Sequence, residues 1–161
     1  ALGFHAVPSS SSKSYAWEIF NVILGFGMAS RLFEEVREKR GLAYDIKSFV
    51  QQGKNYGYQV IYAGTTKEKI KACQEIILKE HAGMKKITSK EFEQAKEQLI
   101  GLRKVESEES VNVMNALING EISGKAEEFY NYDNKIGQVK LQDVRAIAKS
   151  KGYSSVMLVP G

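Results

Sequence analysis

The sequence predicts an α+β protein, a two-layer sandwich in which a mainly antiparallel sheet is covered on one face by helices. Three observations carry that prediction. Strand-like segments stand near both ends of the chain, LGFHAV at 2–7 and SSVMLV at 154–159. Two further strand-like runs, 43–50 and 56–63, flank QQGKN, a short glycine-containing turn of the kind that joins an antiparallel hairpin. Most of the chain outside these runs has helical periodicity.

Pro8 and the serines at 9–12 close the first strand and lead into a helix. From Ser14, the expected N-cap, apolar residues fall at Ala16, Ile19, Phe20, Ile23 and Leu24, the stripe of a helix lying on a core. Gly25 and Gly27 break it. A second helical stretch carries Leu32, Phe33 and Val36 and stops at Gly41, the left-handed residue expected after a helix end. In the run 56–63, Tyr56, Tyr58, Val60 and Tyr62 share one face. Thr65 with Glu68 and Thr88 with Glu91 match capping boxes. The first opens a helix bearing Ile70, Cys73, Ile76 and Ile77; the second opens one bearing Phe92, Ala95, Leu99 and Leu102. Val111, Met114, Leu117 and Ile118, then Leu141, Val144 and Ile147, mark further helical faces. SSVMLV reads as a buried closing strand, and both terminal strands can enter the sheet that holds the hairpin.

Composition narrows the function classes. The 161 residues, 43% hydrophobic and 26% charged, suit one folded domain over 1–161. The net charge of +4 comes from lysines scattered among glutamates rather than a basic stripe, which argues against nucleic-acid binding. No apolar run is long enough to span a bilayer. The start ALGFHAVPSSSS lacks the basic and apolar regions of a signal peptide and enters a strand with no lead-in, so a fragment of a longer protein is expected. The single cysteine, Cys73, excludes an internal disulfide and, with the missing signal, makes the cytoplasm the default compartment.

The residues offer no self-sufficient active site. A hydrolytic zinc centre needs about three protein ligands, whereas His5 and His81 lie far apart and belong to neither H-E-x-x-H nor H-x-x-E-H. His5 reads as a strand histidine, and His81 as a residue near the end of a lysine-rich helix, where a cation is favoured. Cys73 lies on an apolar stripe. No G-x-S-x-G elbow occurs, and GFGMAS follows a helix, so it is not a dinucleotide cradle. Glu34, Glu35 and Glu38 resemble paired carboxylates but are expected to form surface pairs with Arg31 and Lys39.

One stretch adds more. Residues 22–49 read VILGFGMASRLFEEVREKRGLAYDIKSF. The glycine break before Met28, then S-R-L-F, then R-E-K-R-G-L-A-Y, closely resembles the second-domain signature of the pitrilysin/mitochondrial-processing-peptidase family of inverted-motif zinc metallopeptidases. The order of elements over the whole chain is similar too. The resemblance implies a metalloprotease-domain-like fold and the role of a C-terminal, metal-free domain in a two-domain protein. It implies no cofactor here and zinc in a partner domain or subunit carrying H-x-x-E-H. It further implies a clamshell chamber holding peptides or unfolded proteins, and a homodimer or heterodimer of the full protein. In such enzymes an Arg–Tyr pair seven residues apart reaches the zinc site of the opposing half; that maps onto Arg37 and Tyr44. Gly25 and Gly27 map onto a glycine-rich loop associated with substrate. The alternative within the same fold is a purely structural core-type subunit.

Overall fold

A computed structural model of the chain describes residues 1–149 and 152–159. Four antiparallel strands form one sheet in the order β2-β3-β1-β4: β1 is Leu2–His5, β2 Asp45–Gln52, β3 Gly57–Gly64 and β4 Ser154–Ser155. The hairpin pairs Asp45 with Gly64 through Gln52 with Gly57, one to two residues later than the sequence suggested for each strand. β1 and β4 both join this sheet, as expected for the terminal strands. SSVMLV is otherwise not the buried strand it resembles. Ser154 and Ser155 pair with β1 and Val156 exchanges backbone hydrogen bonds with Ala1, but Val156 and Leu158 stand 72% and 99% exposed on the sheet's outer edge.

Alternation divides the sheet into faces. Leu2, Phe4, Ile46, Ser48, Gln59 and Ile61 are buried under helices, while Lys47, Phe49, Tyr58 and Tyr62 face away from them. The helices are α1 (Ser14–Gly25), α2 (Ile70–Gly83), α3 (Ser89–Glu106), α4 (Ser110–Ile122), α5 (Tyr132–Gln138) and α6 (Leu141–Ile147), with a π-helical turn at Phe33–Glu38.

α1 is the axle of the core. Its stripe is buried as expected, but so are Trp17, Asn21 and Val22, because α1 packs against the sheet on one side and against α3, α5 and α6 on others. Asn21 is tolerated there through a polar relay: Ser48 Oγ donates to Asn21 Oδ1 at 2.6 Å, and Gln59 Nε2 donates to Ser48 Oγ at 2.9 Å. Ser14 is not the N-cap. It is the first helical residue and is buried, and Lys13 precedes it without a side-chain cap.

The two capping boxes part ways. Thr88 and Glu91 close theirs reciprocally at the start of α3. Thr65 instead donates to the Leu42 carbonyl, and Thr66 precedes a short 3₁₀ turn at Lys67–Lys69 ahead of α2. Tertiary contact with the Gly41–Leu42 loop has outbid the local box. α4 departs furthest from expectation: none of its residues is buried, and Val111, Met114, Ile118 and Ile122 form an apolar stripe at helical spacing that faces solvent.

Candidate functional site

The passage from the π-helical turn to β2 is built by backbone geometry. Gly41 has φ of +55°, which the missing Cβ permits. Its N–H bonds to the Arg37 carbonyl at 3.0 Å and the Leu42 N–H to the Val36 carbonyl at 2.8 Å, turning the chain sharply towards the sheet. Arg37 and Tyr44 stand on either side of this turn.

Both side chains face outward. The Arg37 guanidinium lies 4.8 Å from the centre of the Phe33 ring, and its nearest carboxylate, Glu38, is a loose 3.9 Å away. Tyr44 is 71% exposed. Its N–H donates to the Gly64 carbonyl at 2.9 Å. Its ring then covers Gly64 so closely that a Cβ there would sit 2.5 Å from Tyr44 Cζ. Phe33 and Gly64 are thus platforms for the two polar groups. The sequence offered a faint signal for Gly64, a glycine ending a well-patterned strand, and none for Phe33.

The neighbouring charges are already matched. Glu35 accepts from Lys39 and Arg40, whose hydrogen bonds hold its carboxyl down at about 2. Lys39 also meets Glu34 at 2.7 Å. Arg31, expected among these surface pairs, turns the other way to Glu91 at 2.7 Å and to the Gly83 carbonyl. Arg37 is therefore the cation of this turn with the weakest local commitment.

Gly25 and Gly27 have different settings. Gly25 is buried where α1 meets β2, and a Cβ there would approach Ser48 Cβ to 2.6 Å, so close packing demands the glycine. Gly27 sits beyond the helix end with φ of +82°. Between them Phe26 lines the mouth of a cavity described below.

His5 is exposed on β1. His81 is not the helix-end cation expected from its position. It is 4% exposed, stacked on Phe4 with centroids 4.1 Å apart and set edge-on to Phe20, and burial pushes its pKa down to about 4. Cys73 and Ile77, two turns and one turn before it, share this apolar face, and the stripe simply continues through His81. Cys73 is a buried core residue. Among the described residues no group of three His, Cys, Asp or Glu side chains could hold a metal ion, and no helix is long and apolar enough to cross a membrane.

A second feature was invisible in the sequence. A cavity of about 610 Å³ opens between the free edge of β2, α1, α3 and the α4 region. Tyr132 Oη donates to Glu18 Oε2 at 2.6 Å and Tyr15 Oη to Glu128 Oε2 at 2.8 Å. Burial raises the Glu18 carboxyl to about 7 despite the Tyr132 hydrogen bond. Burial also opposes charge on Glu128, but hydrogen bonds from Lys135 and Tyr15 outweigh it and keep that carboxyl below its ordinary range. These groups come from residues 15 to 135, a separation no local motif can report.

The relationship to known proteins follows this geometry. Residues 1–99 match the family model described as the Peptidase M16 inactive domain, and the chain belongs to that family. It is 32% identical over 169 residues to the uncharacterized zinc protease YmxG of Bacillus subtilis, covering 99% of this chain and 40% of YmxG. The chain thus spans about two fifths of that relative's length. Its fold is that of a protease from Helicobacter pylori (TM-score 0.83, 21% identity, 91% of this chain and 36% of that one). It is also that of the peptidase M16 inactive domain from Pseudomonas fluorescens (TM-score 0.82, 24% identity, 94% and 37%). The α+β fold and the metallopeptidase kinship drawn from residues 22–49 are both borne out.

Proposed function

We propose that this chain is the metal-free wall of a peptidase chamber and lends Arg37 and Tyr44 to a zinc site on another domain. The observation that carries the reading is the pairing of two solvent-facing, weakly committed donors across one tight turn, in a chain of the inactive-domain family. The names of relatives such as YmxG, a zinc protease of greater length, support a catalytic partner domain.

The chemistry follows from what each group can donate. Peptide hydrolysis by zinc-activated water places negative charge on the scissile carbonyl oxygen. A guanidinium and a phenolic O–H aimed at that oxygen stabilise it more in the transition state than in the ground state. Stacking on Phe33 and seating on Gly64 reduce the side-chain freedom lost when the groups engage.

The test is steady-state peptidase kinetics on the complete enzyme. Arg37→Ala and Tyr44→Phe should each lower kcat by roughly 10²–10³ with bound zinc unchanged. The competing reading, a structural subunit of the same fold, requires neither change to touch turnover. Full activity in both variants removes the catalytic role.

A further inference from the structure

Resting on the catalytic reading of Arg37 and Tyr44, we infer that Thr65 and Lys69 are positioning residues for that reaction: their side chains clasp the Leu42 and Gly41 carbonyls of the intervening turn and so fix where the two groups stand.

The turn needs support from outside itself. It lies between the π-helical turn, which ends at Glu38, and β2, which begins at Asp45. Its N–H groups are engaged: those of Gly41 and Leu42 bond back to Arg37 and Val36, and that of Tyr44 bonds across to Gly64. Its carbonyls lack such partners. Among the described residues no backbone N–H donates to the carbonyl of Gly41 or Leu42. Gly41 is also the residue with the freest backbone, so the chain can pivot there.

Both carbonyls are met by side chains from one short segment that follows β3. Thr65 Oγ1 donates to the Leu42 carbonyl, and Lys69 Nζ donates to the Gly41 carbonyl at 2.8 Å. The same segment is preceded by Gly64, which accepts the Tyr44 N–H and seats the Tyr44 ring. Residues 64–69 therefore grip the turn at Gly41, Leu42 and Tyr44.

The two clasps are unequal. The Thr65 bond is partly buried, where water is a poor substitute for a lost donor. The Lys69 bond is exposed, so water can replace the ammonium. Thr65 forgoes a local capping box with Glu68 to make its bond, and its β-branched side chain has few rotamers to lose in doing so. Its target stands two residues before Tyr44, so Thr65 acts chiefly on that ring. The Gly41 held by Lys69 is tied to the Arg37 carbonyl, so Lys69 acts on the Arg37 side. Both bonds point into the turn, and each residue works through its backbone rather than on substrate.

The experiment is steady-state peptidase kinetics on the complete enzyme, per mole of bound zinc, with KM and melting temperature recorded beside kcat. A misplaced reacting group can cost roughly 10²-fold in rate; because Gly64 still holds the Tyr44 N–H, Thr65→Val should cost about tenfold in kcat with KM little changed. Thr65→Ser, which returns the hydroxyl, should recover most of that loss. Lys69→Met should lower kcat about two- to threefold, and Lys69→Arg should restore it. The decisive comparison is made in the Tyr44→Phe background. There Thr65→Val should cost less than about twofold more, because the hydroxyl it aims is gone. A merely structural role predicts the same loss in both backgrounds. Should Thr65→Val fail to fold, Lys69→Met, an exposed change, carries the comparison in the Arg37→Ala background. Wild-type kcat in Thr65→Val beside an impaired Tyr44→Phe, no recovery in Thr65→Ser, or equal losses in the two backgrounds overturns the proposal and leaves the catalytic reading standing. Inert Arg37→Ala and Tyr44→Phe variants sink that reading and the clasp together, a pattern distinct from failure of the clasp alone.

Discussion

His81→Phe should reverse the way this chain responds to mild acid. His81 is held neutral by burial, its pKa lowered from 6.5 to about 4. A histidine of this kind stabilises the fold above 6.5, and the contribution is lost as pH falls from there towards 4, because only the unfolded chain takes up the proton. Each tenfold difference in proton affinity is worth about 1.4 kcal/mol, so acidification from pH 7.5 to 5 costs about 2 kcal/mol from His81. Glu18 works in the opposite sense. Its carboxyl is raised from 4.5 to about 7 by burial, next to Tyr132, Arg103 and Glu106. That stability is present below 4.5 and lost as pH rises through 7, so the same acidification returns about 2 kcal/mol. The two contributions nearly cancel in the wild type. His81→Phe exposes the Glu18 contribution, and Tm should rise by roughly 4–8 °C between pH 7.5 and 5. Glu18→Gln should show a fall of similar size. Glu35, Glu91 and Glu128 have depressed pKa values and so lose their contributions only below this window. The assay is thermal melting followed by circular dichroism at fixed ionic strength. If His81→Phe and wild type show the same pH slope, His81 is not a suppressed base and the argument fails.

Three further outcomes test individual features. Thr88→Ala removes the capping box of α3 and should cost about 1 kcal/mol, read as a lower urea midpoint, with Thr65→Ala perturbing the Gly41–Leu42 loop instead. Gly25→Ala drives a methyl into Ser48 and should destabilise by about 1–3 kcal/mol; a neutral melt would show that α1 and β2 are not in hard contact. Gly64→Ala displaces the Tyr44 ring and, in the complete enzyme, should lower kcat towards the Tyr44→Phe level while KM changes less; wild-type turnover would free Tyr44 from any dependence on that seat.

Much of the fold was legible because burial and periodicity agree. The α1 stripe, the hairpin and the Thr88 box each follow from residues within one or two turns of one another. Legibility ended where distant contacts decided the outcome. Thr65 could accept from a helix N–H in the local box or donate to a carbonyl, and it donates to that of Leu42, brought near by the turn at Gly41. His81 carried a polar name on an apolar face, and its neighbours Phe4 and Phe20 come from other elements. The candidate residues at the junction were found through motif resemblance. Their platforms were not: Gly64 showed only as a glycine ending a patterned strand, and nothing in one dimension reports that the Tyr44 ring, just ahead of β2, lies over it. The cavity escaped entirely, because its charged groups are contributed by separate elements whose approach only the folded chain reveals.

The uncovered stripe on α4 has a practical corollary. Val111, Met114, Ile118 and Ile122 hold aliphatic surface in water along three turns of one helix. Sulfate and other strongly excluded salts raise the free energy of such surface, so precipitation steps will drive copies of this chain together through it. Sedimentation at low ionic strength and low concentration is accordingly the condition in which a lone copy can be weighed, and an Ile118→Lys substitution should extend that range without altering the melt.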